Sequence, residues 1–206
     1  MKTIHYLVSS IVLLVLMTNC TIKKDNLEPE FKLNPVDTIN ENEYQIYSLI
    51  LKEKFVGSKE LIIKQSTSIS ISSSFVNSYY ESLKTELPNL DETIFIDFVV
   101  KNDSSYHLDN KFIVPAKTVS LITNEETQYL FQAKDINQGW FDFYHKYPDS
   151  IGMIDFTRVG LNSAKNQAIV SMGHYYASLG ADGVIIYLVK ENSSWRIIKT
   201  INTWVS

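Results

Sequence analysis

Cys20 is the only cysteine among the 206 residues, and it stands at the end of an apolar run. Everything after it must therefore fold without a disulfide, even in an oxidising compartment. Zinc or iron–sulfur centres held by several thiolates are excluded for the same reason. Stability has to come from an apolar core. The composition can supply one, because hydrophobic residues make up 45% of the chain and include 12 Tyr, 10 Phe and 3 Trp. Aromatic side chains of that number bury large areas and also provide surface contacts.

The residues ahead of Cys20 read as an export signal. Met1 and Lys2 give a positive start, and Leu7 to Met17 is apolar apart from Ser9 and Ser10. Such a run is too short to span a bilayer and suits a secretory signal. Met17-Thr18-Asn19-Cys20 resembles a bacterial lipobox, in which the cysteine becomes the lipidated first residue of the mature chain. The expected organisation is a signal peptide over 1–19, a lipid anchor and flexible tether over 20–40, and one globular domain over 41–206. The tether reading rests on polar composition with Pro29 and Pro35. The protein is then exported and attached to the cell envelope, with the outer membrane as the expected site and the membrane as a partner through Cys20.

Charge narrows the partners further. Nineteen Lys and Arg stand against 23 Asp and Glu, a net charge of −4, with no basic cluster. Nucleic acid is not an expected partner, because phosphate binding needs clustered cations.

Periodicity places helices first and strands last. Asn40 with Glu43 reads as a capping box for a helix to Phe55, with Tyr44, Tyr47, Ile50 and Leu51 on one stripe. Leu61–Ile71 turns β-like and runs into a serine-rich stretch, Ser66–Ser74, that reads as a loop rather than a hydroxyl-lined strand face. A helix runs from Phe75 to Leu87 and ends at Pro88. Asn89 with Glu92 predicts a cap for the next helix, to Lys101. Lys117–Thr123 reads as a strand, and Asp135–Tyr147 as an aromatic helix stopped by Pro148. From Ile151 four strands follow, rich in β-branched and aromatic residues and separated by short breaks. Short breaks require antiparallel neighbours. The expected fold is α+β, with N-terminal helices packed on one face of a mainly antiparallel C-terminal β-meander.

The C-terminal half carries a specific string. It runs Trp140, Phe143, Tyr147-Pro148, Ser150 and Gly152, then Phe156-Thr157-Arg158-Val159-Gly160 and Asn162. Gln167-Ala168, Trp195 and Trp204-Val205-Ser206 complete it. This pattern resembles an uncharacterised family of small exported or lipid-anchored bacterial proteins, over about residues 41–206. Thr157 stands where that family has Ser, and Leu161 where it has Phe. The resemblance implies envelope localisation and carries no mechanism.

Few residues invite chemistry. Along Ile151–Val159, Ile154, Phe156 and Arg158 share one face, while Asp155 lies on the other. Arg158 thus continues an apolar row and must find a partner or reach the sheet edge, as an anion clamp or else in a structural ion pair or a helix C-terminal cap. Gly160 is expected to serve a positive-φ turn, and Asn162 to support it. His145 and His174 lack metal-ligand spacing, and no cofactor is expected. If the aromatic helix packs on the meander, His145, Asp155, Arg158 and His174 could share a cleft for acid–base work. His174-Tyr175-Tyr176, read as part of a loop, is the expected contact surface, with Arg158 as a further binding candidate. Three functional readings remain open at this point. The leading one is non-catalytic binding of a protein, peptide or glycan. The alternatives are an envelope hydrolase or small-ligand protein using that cleft, and a purely structural component.

Overall fold

The computed structural model describes residues 29–69, 76–132 and 135–206. The expected signal segment, Cys20 and part of the serine-rich stretch lie outside the described residues. The folded unit begins at Phe31, ten residues before the expected boundary. Asn34 is held by Gln65 in both directions, through N–H to Oε1 and Nε2–H to O, each at 2.9 Å. Asp37 and His107 exchange two further bonds, at 3.0 and 2.7 Å. Residues 31–40 are thus a strap fixed to the fold rather than free tether.

Five helices occur among the described residues. In α1 (Glu41–Lys54) Asn40 caps the start by accepting the Asn42 N–H at 2.9 Å. Its expected capping partner, Glu43, is fully buried and turns into the fold. After α2 (Val76–Glu86), helix α3 (Glu92–Lys101) is capped by Asp91, which accepts the Thr93 N–H at 2.9 Å. Asp91 takes the role expected of Asn89 because it directly precedes the first helical residue. Helix α4 (Asn124–Phe131) is capped by Thr123, whose hydroxyl accepts the Glu126 N–H at 3.1 Å. Helix α5 (Ile136–Lys146) starts at Asp135 and stops ahead of Pro148.

The strands are β1 (Glu60–Lys64), β2 (Thr118–Ile122), β3 (Ser150–Phe156), β4 (Gly160–Leu161), β5 (Gln167–Ala177), β6 (Gly180–Glu191) and β7 (Ser194–Val205). They form one sheet in the order β2-β1-β3-β5-β6-β7, with β4 beside β5. Strands β3 and β5–β7 are antiparallel, as their short connections require. Strand β1 pairs parallel with both β2 and β3. The helical segments α2–α3 and α4–α5 supply the crossovers that parallel pairing needs. The class is α+β.

Helices cover both sheet faces rather than one. On the first face, Ile46, Tyr47, Ile50 and Leu51 of α1 pack on Ile63, Ile154, Phe156, Val170 and Ile186. On the second face, Trp140 and Phe143 cover Ile62, Ile122 and Met153 at the β1–β3 end. At the other end, Leu83, Leu87, Phe95 and Phe98 cover Ile169 and Ile185. A different row crosses the second face. Asp155, Gly173, Gly183 and Trp204 lie opposite one another on β3, β5, β6 and β7. The two glycines make room for side chains lying flat. A Cβ on Gly173 would come within 2.5 Å of Asp155 Oδ1, and one on Gly183 would collide with the Trp204 indole.

Gly160 likewise serves close packing, not a positive-φ turn. A Cβ there would meet Phe98 Cβ at 2.5 Å and Ile94 O at 2.7 Å. The following turn belongs to Asn162, whose Oδ1 accepts the N–H groups of Asn166 and Gln167 at 2.9 and 3.0 Å. Strand β7 forms one edge of the sheet. Its register against β6 slips twice, leaving Ile198 and Thr203 as extra bulged residues.

Candidate functional site

Arg158 is 7% exposed and points at α1. Its Nε and Nη2 donate to the two carboxylate oxygens of Glu43 at 2.9 and 2.8 Å. Glu43 Oε2 also accepts the Val159 N–H at 3.0 Å. The guanidinium lies over the Tyr106 ring, 4.5 Å from its centre. Burial weakens the Arg158 charge, yet the bonds and charge of Glu43 outweigh it and hold the group above its ordinary value. Asn102, at the end of α3, clasps the same backbone. Its Oδ1 accepts the Arg158 N–H at 2.7 Å and its Nδ2 donates to Arg158 O at 2.9 Å. Tyr47 donates to Thr157 O at 2.9 Å. Arg158 therefore locks α1, α3 and the end of β3 together, and its charge is met by Glu43 rather than by a ligand.

Asp155 lies on the opposite sheet face, as strand alternation requires for residues three apart. It accepts from the Ser68 hydroxyl at 2.7 Å, the Tyr175 hydroxyl at 3.1 Å and the Gly173 N–H at 3.0 Å. Lys64 Nζ stands 3.9 Å away and 4.3 Å from the Tyr175 ring centre. Burial and the Asp155 charge push the Tyr175 phenol well above its ordinary value.

His174 sits on β5 in register with Ile154. Its Nε2 is 2.8 Å from Ile151 O, so that nitrogen carries the proton and donates. Its ring packs between Phe55 and Tyr176, at 5.1 and 5.0 Å. His145 lies on the outer side of α5, stacked on Phe141 at 6.5 Å. The four residues expected to share a cleft thus occupy separate environments, each with its own partners. The expected loop is also strand. Strand β5 continues to Ala177, and only Ser178 and Leu179 separate it from β6. Tyr176 is the extra residue of a bulge between Tyr175 and Ala177. The bulge carries its ring outward to 40% exposure.

Two surfaces are shaped for contact. A groove of about 720 Å³ runs between α1 and residues 110–113, lined by Tyr44, Ser48, Leu49, Lys52, Phe112 and Ile113. Two bonds hold its far wall. Tyr44 Oη accepts the Asp109 N–H at 2.7 Å, and Ser48 Oγ accepts the Ile113 N–H at 2.9 Å. Ile113 is 79% exposed on the rim. The second surface joins α5 to the β5–β6 turn. Tyr144 donates to Tyr176 O and Ser178 to Asn137 Oδ1, both at 2.8 Å.

The groove could not be found in the sequence, since it needs residues 110–113 laid against α1. Its helix half was visible, however: Tyr44, Ser48, Leu49 and Lys52 follow helical spacing. Among the described residues no cluster of His, Cys, Asp and Glu is arranged to hold a metal ion. No described helix is long and apolar enough to cross a membrane. Comparison with family models, with curated proteins and with solved structures returned no match.

Proposed function

We propose that this chain is an exported lipoprotein, anchored to the cell envelope through Cys20, whose folded domain binds a protein or peptide segment without catalysis. The groove between α1 and residues 110–113 carries the reading, since its volume of about 720 Å³ lies in the range of binding sites. Leu49 in its wall and Ile113 on its rim are branched aliphatics that suit the apolar side chains of a peptide. Lys52 at the rim is available to a carboxylate of the bound segment. The separation of His145, Asp155, Arg158 and His174, each engaged by local partners, supports binding over hydrolysis.

A photo-crosslinking amino acid at Ile113, introduced into the full-length protein in cells, tests this function. An adduct with an envelope protein is expected from position 113 and not from Asn192 at the β6–β7 turn. Equal labelling from both positions, or none from 113, contradicts the groove reading. The anchor has its own test. Metabolic incorporation of labelled fatty acid is expected in the natural protein and lost in Cys20→Ser.

A further inference from the structure

The surface formed by α5 and the β5–β6 turn is apolar, prominent and rigidly built. Leu179 is 86% exposed, Phe141 67%, Ile136 53% and Tyr176 40%. On α5, Asn137, Phe141 and His145 follow one another at four-residue spacing and share the outer side. The turn is fastened beside them by the Tyr144–Tyr176 and Ser178–Asn137 bonds. Gly180 lets the Tyr176 ring lie against the hairpin, since a Cβ there would come within 2.6 Å of that ring. A shallow depression of about 360 Å³ lined by Trp140, Phe141, Tyr144 and His145 completes the surface. The nearest acidic side chain on the helix, Asp142, is engaged by Gln138 Nε2 at 2.8 Å.

The chain reaches the fold close by. The ring of Phe31, the first residue of the folded unit, packs on Tyr129 of α4 at 5.4 Å. Lys146, at the end of α5, lies 5.5 Å from that ring. Cys20 is eleven residues earlier, and a fully extended stretch of that length reaches at most about 40 Å. A chain anchored at Cys20 therefore has the α4–α5 side of the fold within reach of the lipid.

We propose that the α5–hairpin surface is a bilayer-docking face, on which Leu179, Phe141 and Ile136 enter the boundary between headgroups and acyl chains. The proposal rests on the Cys20 anchor. Two observations select lipid over a soluble partner: the position where the chain enters the fold, and the composition of the patch. Tyr144 and Tyr176 are of a residue type enriched at membrane interfaces, while the most exposed side chains are purely apolar. An apolar face beside a covalent lipid adds a second attachment to the membrane surface. Anchoring also raises the local concentration of lipid around the face, so modest intrinsic affinity suffices. Helix α1 and its groove lie on the other face of the sheet. Docking through α5 leaves that groove turned to the aqueous side.

The absence of cysteine after position 20 makes the test direct, because a new cysteine is the only free thiol of the lipidated chain. Leu179→Cys, Phe141→Cys and, as control, Ile113→Cys are labelled with an environment-sensitive dye. The full-length lipoprotein is reconstituted into vesicles of phosphatidylethanolamine and phosphatidylglycerol. At 179 and 141, blue-shifted emission, quenching by lipid-borne nitroxide and several-fold protection from aqueous iodide are expected. At 113, iodide quenches fully and nitroxide does not. Iodide access at 179 equal to that at 113, in protein that floats with the vesicles, overturns docking and leaves the anchor standing. Protein that does not float overturns both. Shielding of 179 that appears only when other envelope proteins are added overturns the lipid reading in favour of a protein partner.

Discussion

Glu43 and Asp155 are both buried carboxylates, and the fold compensates them in opposite ways. Glu43 is fully buried and meets a full counter-charge, the two-pronged guanidinium of Arg158. Asp155 is 6% exposed and is met mainly by neutral donors, the hydroxyls of Ser68 and Tyr175 and one backbone N–H. Its nearest cation, Lys64, stands off at 3.9 Å. A hydroxyl can turn and accept instead of donate, whereas a guanidinium cannot. The Glu43 pair is therefore brittle and the Asp155 cluster adaptable. One is a rivet between α1 and the end of β3, and the other a hub on the sheet surface.

The largest effect is expected from Arg158→Ala. It strands the Glu43 carboxylate in the core and costs about 3–5 kcal/mol in urea unfolding. Arg158→Lys is expected to recover only part of this, since an ammonium cannot reproduce the two parallel bonds. Asp155→Asn ranks next, at about 1–3 kcal/mol, because Ser68 and Tyr175 can reorient toward the amide. An equal loss from Asp155→Asn and Arg158→Ala would erase the distinction between brittle and adaptable.

Alkali probes both regions at once. Tyr47, beside Glu43, and Tyr175, beside Asp155, both hold their protons well above the ordinary value of 10.0, chiefly through burial. Burial also pushes Tyr79 up to about 12. Groups raised in the folded state contribute stability that is fully present below the unfolded-state value. That contribution is lost as pH rises through the folded-state values, because the unfolded chain releases its phenolic protons first. Stability should therefore hold below pH 10 and fall above it. Tyr47→Phe and Tyr175→Phe should each flatten that fall, as followed by tyrosinate absorbance and circular dichroism. The smallest effect is expected at the exposed pair of Lys199 and Glu86, where Lys199→Ala should change stability by less than about 1 kcal/mol.

What could be read from the sequence was local. The strands after Ile151 and their antiparallel order follow from alternation and short breaks. Helix α4 was missed, because behind its Thr123 cap stands only a thin apolar stripe, ending in Leu130 and Phe131. Parallel pairing of β1 with β2 and β3 was hidden, because two-helix crossovers separate the partners. The Glu43–Arg158 pair spans 115 residues, and nothing local signals it. Asn102, the clasp of Arg158, lies 56 residues from it, and no local pattern marks that role. The proposed cleft contained its own warning. Asp155 and Arg158 are three apart in the strand expected over Ile151–Val159, and that parity places them on opposite faces.

The two bulges of β7 bear on how this protein behaves in company. A twelve-residue strand at the border of a sheet is a template on which another chain can zip, and such growth is hardest to reverse where molecules are crowded. Ile198 and Thr203 each interrupt the even spacing of backbone donors and acceptors that zipping demands. The border is wrinkled twice along its length, so a second copy meets no straight seam longer than a few residues. The irregularities that look like flaws in the ladder work against edge-to-edge growth.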